Sequence, residues 1–261
     1  MTPTDLEPML LRHDEAGVAT LTLNRPRHYN ALSSTLLMAV QHELDAMASD
    51  RSVKVVVLAA NGPGFCAGHD LKEISALPDQ AAVEALFVQC SRMMMAIGAL
   101  PQPVVARVHG VATAAGCQLV AACDLVVASS AASFATSGVN NGIFCTTPGV
   151  ALGRVVSRKH AMEMLLTGAT VSAQRAYEMG LVNRVVAPEA LDTETNALVQ
   201  LLAGQSSAVL ASGKRVFYQQ LELALPDAYA LASCAIAEGI VQPDGQEGIA
   251  AFLGKRKPRW A

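Results

Sequence analysis

Residues 103–128, PVVARVHGVATAAGCQLVAACDLVVA, decide the fold class of this chain. Pro103 to Val108, apolar except for Arg107, is predicted to form a strand, and Leu125 to Ala128 is predicted to form another. Between them, Ala112 to Ala122 is predicted to form a helix. Strands that alternate with helices are typical of α/β folds with largely parallel pairing. This stretch therefore predicts an α/β protein.

The same alternation extends towards the N-terminus. Residues 17–24 alternate small or apolar with polar side chains, which predicts a half-exposed strand. Ser33 to Ala48 has apolar residues at helical spacing, and Val53 to Ala60 is a near-continuous apolar run typical of a strand buried on both faces. A long helix is predicted from about Gln80 to Leu100, where two nearby prolines end it.

The pattern changes after residue 188. From Glu189 to Lys257 only helices are predicted, with breaks around Gly204, Pro226 and Pro243. A run of helices after an α/β core commonly serves packing or oligomerisation. We therefore predict two parts, an α/β core over residues 1–188 and a helical region over 189–261.

Composition and charge narrow the possible functions. Of the 261 residues, 52% are hydrophobic and 16% are charged, and the formal net charge is −3. This balance argues against nucleic acid or an anionic membrane as the main partner. The most apolar stretch, Met93 to Val108, is interrupted by two prolines, a glutamine and an arginine. No membrane span is therefore predicted.

The cysteines and the N-terminus bear on the cellular compartment. Met1 to Asp5 has neither a basic region nor an apolar signal core. The six cysteines are scattered, without a Cys-x-x-Cys pair or a cluster of His and Cys ligands. Such cysteines are typical of buried free thiols in a reducing compartment. We predict a cytoplasmic protein with no structural metal.

Two loops rich in small residues are candidates for a functional site. Phe65 to Leu71 lies between a buried strand and a short helix, and His109 to Gln118 lies where another strand is followed by a helix. Small residues let a ligand approach the backbone, and the start of a helix offers free N–H groups. Two such loops side by side could supply two donors to one oxyanion. Plain chain reversal is the alternative, and neither loop matches a P-loop or a G-x-G-x-x-G fingerprint.

Taken together, the motifs of the chain resemble those of the enoyl-CoA hydratase/isomerase (crotonase) superfamily. The matching pieces occur in the family's order and nearly span the chain: Leu23-Asn24-Arg25-Pro26, Phe65-Cys66-Ala67-Gly68-His69-Asp70-Leu71-Lys72, Ala114-Ala115-Gly116-Cys117-Gln118-Leu119, Phe134, Pro148-Gly149 and Phe252-Leu253-Gly254-Lys255. The resemblance implies a crotonase-like spiral of ββα repeats with a C-terminal helical oligomerisation region. It also implies homotrimers, or hexamers built from two trimers.

The resemblance further implies a ligand and its contacts. The ligand is an acyl-CoA thioester, bound as a substrate or only as a ligand, with no permanently bound cofactor. The backbone amides of His69 and Ala115 match the family's oxyanion hole, and Ala67 matches the loop that holds the adenine end of CoA. Phe252 and Lys255 match a C-terminal pair that contacts CoA from a neighbouring subunit.

Two positions depart from the hydratase pattern. The resemblance places the family's two catalytic glutamates at Gln118 and Gly138. The amide of glutamine cannot act as a general acid or base near neutral pH, and glycine has no side chain that could. Since each acid–base group contributes roughly 10²–10⁴ in rate, we expect ordinary hydration to be weak or absent. The surrounding combination resembles the subgroup named enoyl-CoA hydratase domain-containing protein 3, which implies that the missing glutamates are a subgroup trait.

Other side chains admit two interpretations each. The ring of His69 could act as a base, or only its backbone N–H could matter while the ring packs nearby. Asp70 is predicted to cap the following helix. Cys145 could be a nucleophile or a buried, inert thiol. Met93 to Met95 could line an acyl tail or fill the core.

Three functions remain open from the sequence. The first is an enzyme of hydratase/isomerase type in fatty-acid metabolism that stabilises an enolate, with isomerisation, thioester hydrolysis or decarboxylation fitting as well as hydration. The second is a catalytically silent acyl-CoA binding or regulatory protein. The third is a scaffold subunit that uses its C-terminal helices. The small-residue turns with Phe252 and Lys255 favour ligand binding over a pure scaffold.

Overall fold

A computed structural model describes residues 8–261. Within that range the strands are β1 Leu10–Glu15, β2 Val18–Leu23, β3 Val55–Ala60, β4 Gly64–Cys66, β5 Val104–Val108, β6 Val111–Thr113, β7 Leu125–Ser129, β8 Ser133–Ala135, β9 Val171–Ser172 and β10 Arg184–Val186. The helices are α1 Ser34–Met47, α2 Leu71–Ala76, α3 Gln80–Ala99, α4 Ala115–Ala122, α5 Thr146–Val155, α6 Arg158–Thr167, α7 Ala173–Met179, α8 Leu191–Ala203, α9 Ser207–Gln220, α10 Leu225–Val241 and α11 Pro243–Leu253.

The strands form two sheets. The larger one has the order β1-β2-β3-β5-β7-β10, and all of its pairs are parallel except the hairpin β1–β2. The smaller one has the order β4-β6-β8-β9. The consecutive strands β3 and β4, β5 and β6, and β7 and β8 each contribute one member to either sheet, and a helix follows each pair. This is a spiral of ββα repeats, as predicted.

The large sheet is covered on both faces. Every residue of β3 is buried. Val56 and Leu58 face the main core with α1, α3 and α4, while Val55 and Val57 face a second cluster with Leu198 of α8. Successive side chains of a strand point to opposite faces, so a strand between two layers must be apolar throughout. This is why Val55 to Ala60 does not alternate between apolar and polar residues.

One buried ion pair joins the helical region to the core. Lys214 of α9 donates from Nζ to the Ile97 carbonyl at 3.0 Å, to the Gln102 carbonyl at 3.0 Å and to Asp124 Oδ2 at 2.6 Å. Tyr218 donates from its hydroxyl to Asp124 Oδ1 at 2.8 Å. Burial lowers the pKa of Lys214, and the Asp124 carboxylate opposes that shift. All three ammonium hydrogens therefore have acceptors, and α9 is fixed to the end of α3.

The last residues fold back over α11. Arg256 donates to both carboxylate oxygens of Glu247, at 2.5 and 2.7 Å. Trp260 donates from Nε1 to the Gly204 carbonyl at 2.9 Å, and the Ala261 N–H donates to Asp244 Oδ1 at 2.8 Å. The C-terminal residues thus connect α11 with the junction between α8 and α9.

The structure confirms the fold class and changes some boundaries. The helix predicted over Ala112 to Ala122 begins only at Ala115, because the residues before it pair as β6 with β4 and β8. Asp70 caps α2, accepting from the Lys72 N–H at 3.2 Å. After β10, only helices occur up to residue 253, as predicted. The division at residue 188 into two parts stays a prediction.

The methionine run lies on helix α3, where two of its three residues fill the core. Met93 and Met94 are buried, whereas Met95 is 68% exposed.

By length and hydropathy α3 passes the criterion for a membrane-crossing helix within residues 8–261. However, its buried residues, which include Leu86, Cys90 and Ile97, recur at helical spacing and pack in the core. This is the pattern of an amphipathic helix on a core.

Candidate active site

Helix α4 begins in an unusual backbone conformation. Ala114, the residue before it, has φ 49° and ψ −118°, and its N–H donates to the Ala135 carbonyl at 2.9 Å. This bond fixes the point at which the chain leaves β6 and enters α4, next to β8. The first N–H groups of a helix have no partner within the helix. The Ala115 N–H donates to no acceptor in residues 8–261.

The second loop presents a similar free amide. The Leu32 N–H donates to the Gly68 carbonyl at 2.8 Å, and the Asp70 N–H donates to the Leu32 carbonyl at 3.2 Å. These two bonds form an isolated bridge that holds His69 against Leu32. The N–H of His69 lies between them and donates to no acceptor in the described chain. Gly68 has φ +92°, a conformation that favours glycine.

The two loops adjoin each other. Thr113 donates from Oγ1 to the Ala67 carbonyl at 3.0 Å. A methyl group built on Gly68 would lie 3.2 Å from the Ala115 nitrogen. A methyl group on Gly116 would lie only 2.0 Å from the Cys66 carbonyl oxygen, so α4 begins directly against β4. The structure therefore brings the loops of His69 and Ala115 together.

The ring of His69 packs and makes no hydrogen bond. Its centroid lies 4.6 Å from that of Phe87, and both ring nitrogens are buried without a partner in the described residues. Burial lowers the pKa of His69, which keeps the imidazole neutral at physiological pH. No group in residues 8–261 holds the ring in a fixed orientation by a hydrogen bond, as the partner of a catalytic histidine does.

The side chain of Gln118 lies one helical turn after Ala115. Residues three apart share a helix face, and side chains lean towards the N-terminus of the helix, so Gln118 extends over the first turn of α4. The residue is 4% exposed, and its Oε1 is buried without a hydrogen-bond partner in the described part of the chain. Its amide is therefore an unused polar group beside the start of the helix.

The position of Gly138 is filled by its own loop. A methyl group there would lie 2.4 Å from the Ile143 carbonyl oxygen and 2.7 Å from Cys145 Sγ. The Gly138 N–H donates to Cys145 Sγ at 3.3 Å. Cys145 is 7% exposed, and burial raises its thiol pKa, which is the state of an inert thiol.

Comparison with known proteins identifies the family. A model of the family described as enoyl-CoA hydratase/isomerase matches residues 13–261. The chain belongs to this family. It is 46% identical over 256 residues to the rat (Rattus norvegicus) protein named enoyl-CoA hydratase domain-containing protein 3, mitochondrial, covering 98% of this chain and 85% of that relative. The resemblance predicted from the motifs is therefore confirmed.

Solved structures of this enoyl-CoA hydratase/isomerase family agree with the fold. A crystal structure described as an enoyl-CoA hydratase of Mycobacterium smegmatis has a TM-score of 0.96 and 55% identity, covering 97% of this chain and 99% of that one. The human enoyl-CoA hydratase domain-containing protein 3 has a TM-score of 0.94 and 45% identity, covering 97% and 100%. The crotonase fold is thus confirmed.

The comparison overturns one prediction. A cytoplasmic location was expected from Met1 to Asp5 and from the scattered cysteines. The rat relative is named a mitochondrial protein, so the prediction of a cytoplasmic location is wrong. Free thiols fit more than one reducing compartment, and residues 1–7 lie outside the described part of the structure.

The residues predicted to contact CoA lie at two places on the surface. Ala67 is exposed beside the loop of His69. Phe252 is 83% exposed near the end of α11, and Lys255 follows it with φ 49°. Helix α11 packs on α9 and α10. These positions are open to a ligand or to a neighbouring subunit.

Sequence reasoning missed the residues that fix the His69 loop. Arg25 donates to Asp70 Oδ2 at 3.0 Å and also to the Ala31 carbonyl. Glu73 accepts from the N–H of Ser34 at 2.9 Å and from its hydroxyl. The available signal was Arg25 itself, a charged residue within a matching motif, for which no role was assigned. These contacts hold α1, α2 and the loop together.

Substitution of Gly138 tests the packing of its loop. We expect Gly138→Ala to destabilise the protein by about 1–3 kcal/mol, because backbone and sulfur occupy the position of the new methyl group. The measurement is thermal unfolding by circular dichroism. Gly213→Ala on α9 is the control, since a methyl group there meets nothing within 4 Å and should be neutral or stabilising. Equal melting temperatures for the two variants would show that the loop does not fill the space at Gly138.

Proposed function

We propose that the chain binds an acyl-CoA thioester and stabilises its enolate through the backbone N–H groups of His69 and Ala115. One observation carries the proposal: two amides on adjoining loops donate to no acceptor in the described chain. A buried backbone donor without a partner is rare, so a ligand oxygen is the natural acceptor. The positive end of the α4 dipole adds to the attraction for an oxyanion.

The catalytic role follows from what surrounds this oxyanion hole. Gln118 and Gly138 occupy the positions where the family pattern has glutamates, and neither can transfer a proton near neutral pH. The neutral ring of His69 is the remaining candidate for proton transfer, and its backbone N–H suffices for the hole. We therefore propose an enolate-stabilising enzyme of the hydratase/isomerase type, acting in acyl-CoA and fatty-acid metabolism, in which ordinary hydration is weak.

Contacts with CoA would come from two subunits. We propose that Ala67 lies by the adenine end and that Phe252 and Lys255 reach CoA from a neighbouring copy, as the family resemblance implies. The helical region 189–261 supports such an assembly, because several of its large apolar side chains are exposed: Phe217, Leu225, Tyr229, Ile236, Val241, Phe252 and Leu253. The assembly is a homotrimer or a pair of trimers.

A catalytically silent acyl-CoA binding or regulatory protein is the second candidate. The observation that favours it is the lack of an oriented general base among the described residues at the hole. Both ring nitrogens of His69 are without partners, whereas catalytic imidazoles are held by a third group. Binding and reaction are therefore tested separately.

Calorimetry with matched ligands tests binding at the hole. We expect butyryl-CoA to bind about ten-fold more tightly than S-butyl-CoA, a thioether without the carbonyl oxygen, since two hydrogen bonds contribute about 1–3 kcal/mol. Equal affinities for the two ligands in the unaltered protein would rule out the hole.

Hydration of crotonyl-CoA tests the second part of the proposal, the catalytic role. The rate of hydration, monitored as the loss of the enoyl absorbance, should be lower by a factor of roughly 10²–10⁴ than in a family member that has one or both glutamates. Binding of butyryl-CoA in the same preparation is the control for a folded site. Fast hydration would assign the proton transfer to another residue, with the His69 ring examined first through His69→Gln.

A further inference from the structure

The outer face of α3 is less polar than the solvent face of a surface helix usually is. Seven exposed residues lie on one stripe of this face at helical spacing, and five of them are apolar: Ala81, Glu84, Ala85, Val88, Arg92, Met95 and Ala99. Val88 is 53% exposed and Met95 is 68% exposed. Only 28% of an 18-residue apolar stretch of α3 is buried. The helix therefore carries more apolar surface than the core of one chain covers.

The two charged residues of this stripe have no partner within their own chain. Neither the Glu84 carboxylate nor the Arg92 guanidinium forms a side-chain hydrogen bond or an ion pair in residues 8–261. Glu84 lies four residues before Val88, and Arg92 lies four residues after it. Each is thus about 6 Å along the helix axis from Val88 and on the same face. Opposite charges at equal distances from one residue allow a helix to pair with a copy of itself.

An antiparallel pair of α3 helices with a two-fold axis at Val88 satisfies both charges. In that arrangement Glu84 of one copy lies opposite Arg92 of the other, and the symmetry repeats the pair on the other side of the axis. Ala81 and Met95 are also equally far from Val88, at seven residues each. A small side chain of one copy therefore faces a large one of the other, which lets the two helices interdigitate. A parallel pair in register would instead set like charges side by side.

We infer that the exposed stripe of α3, residues 81–99, is a contact between two copies of this chain, with the helices antiparallel and a two-fold axis at Val88. The apolar side chains supply the affinity, and the charged pairs set the orientation, because an exposed ion pair alone contributes little. The inference rests on the assembly in the proposed function, because seven residues a side are fewer than the roughly 20–30 of a free-standing interface. Other surfaces hold each half of the assembly together, and the α3 contact doubles its size.

A lipid surface is the other occupant that an apolar helix face suggests. Helices that lie on membranes commonly have a polar face rich in lysine and arginine. Arg92 is the only basic residue of α3, and Glu84 on the same stripe offsets its charge. The charges therefore favour a second copy of the chain over an anionic lipid surface.

The assembly size of charge variants tests the contact. Sedimentation velocity should show that the unaltered protein forms an assembly with an even number of chains. Glu84→Arg places like charges opposite each other on both sides of the axis, so the assembly should separate into halves at concentrations at least about a hundred-fold higher than the unaltered protein does. Glu84→Arg combined with Arg92→Glu restores opposite charges and should restore the full size. Glu189→Arg, at an exposed residue outside α3, is the control and should leave the size unchanged.

Disulfide cross-linking tests the position of the two-fold axis. In a Cys234→Ser background, which removes the exposed native thiol, Val88→Cys places the same residue of both copies at the axis. Oxidation by diamide, which takes up the two protons and two electrons of the thiols, should then join the chains in pairs. Met95→Cys in the same background is the matched control. Its two copies lie about 21 Å apart along the helices and should not cross-link.

The outcomes separate this inference from the proposed function. If Glu84→Arg leaves the size of an assembled protein unchanged, or if the double variant does not regain that size, the α3 contact is wrong and the assembly through other surfaces stands. If the unaltered protein sediments as a single chain, the contact and the proposed assembly both fail, while butyryl-CoA binding still tests the oxyanion hole. If Glu84→Arg changes only the flotation of the protein with vesicles of phosphatidylcholine and phosphatidylglycerol, the stripe is a membrane contact and the inference is overturned.

Discussion

Replacement of Gly116 by alanine is expected to weaken acyl-CoA binding at least about ten-fold and to lower the melting temperature by several degrees. A methyl group at this position would lie 2.0 Å from the Cys66 carbonyl oxygen and 2.7 Å from the Cys66 carbonyl carbon. Both are backbone atoms of β4, which cannot rotate away as a flexible side chain does. The start of α4 must therefore move away from β4.

The expected loss of binding follows from that movement. Ala115 carries one candidate donor at the start of α4, and His69 carries the other on the loop after β4. Separating the two elements moves the donors apart, and loss of one such donor costs about 10²–10³ in rate in enzymes that use them. Calorimetry with butyryl-CoA and thermal unfolding give the two readouts.

A glycine elsewhere provides the matched control. Gly153 lies in α5, and a methyl group there meets nothing within 4 Å. Gly153→Ala should leave butyryl-CoA affinity unchanged and should stabilise the helix slightly. If Gly116→Ala behaves like Gly153→Ala in both measurements, the close approach of α4 to β4 does not determine the site.

Substitution of Lys214 by methionine is expected to destabilise the protein by about 3–5 kcal/mol. The side chains of Lys214 and Asp124 are only 9% and 15% exposed. Removing the ammonium leaves the Asp124 carboxylate buried with the Val104 N–H and the Tyr218 hydroxyl as its remaining donors. An uncompensated buried charge is the main cost. Urea denaturation at a fixed protein concentration measures the loss.

A double variant separates the charge from the packing. Lys214→Met combined with Asp124→Asn removes both charges and retains an acceptor for the Val104 N–H. We expect it to be clearly more stable than Lys214→Met alone, since replacing a whole buried pair is often neutral. The interpretation fails if the double variant is as unstable as the single one. In that case the packing of α9 on the core, and not the unpaired carboxylate, would account for the loss.

The fold was predictable where a segment carries its own signal. Val55 to Ala60 is apolar throughout and Val104 to Val108 is apolar except for Arg107, because both strands lie between two layers, and each is visible from composition alone. The three-residue strand β6 was predicted as the start of a helix. It is too short to show a period, and its strand conformation depends on pairing with β4 and β8, which lie far away in sequence.

The candidate site was predictable in identity but not in geometry. The glycine-rich loops directed attention to His69 and Ala115, and the structure brings their loops together. The backbone angles of Ala114 and the bond from Thr113 to Ala67 set that arrangement, and neither has a local sequence signature. The occupation of the space at Gly138 by the Ile143 carbonyl was likewise invisible, because any residue type carries a carbonyl there.

The loop that closes over Gly138 also bears on the evolutionary history of the chain. Gln118 could change to glutamate in one step, because the two side chains have the same length. A glutamate at position 138 must first displace the Ile143 carbonyl and Cys145 Sγ, so intermediates with only that change would be less stable. Selection against such intermediates would therefore keep position 138 without a glutamate until the loop itself had been rebuilt.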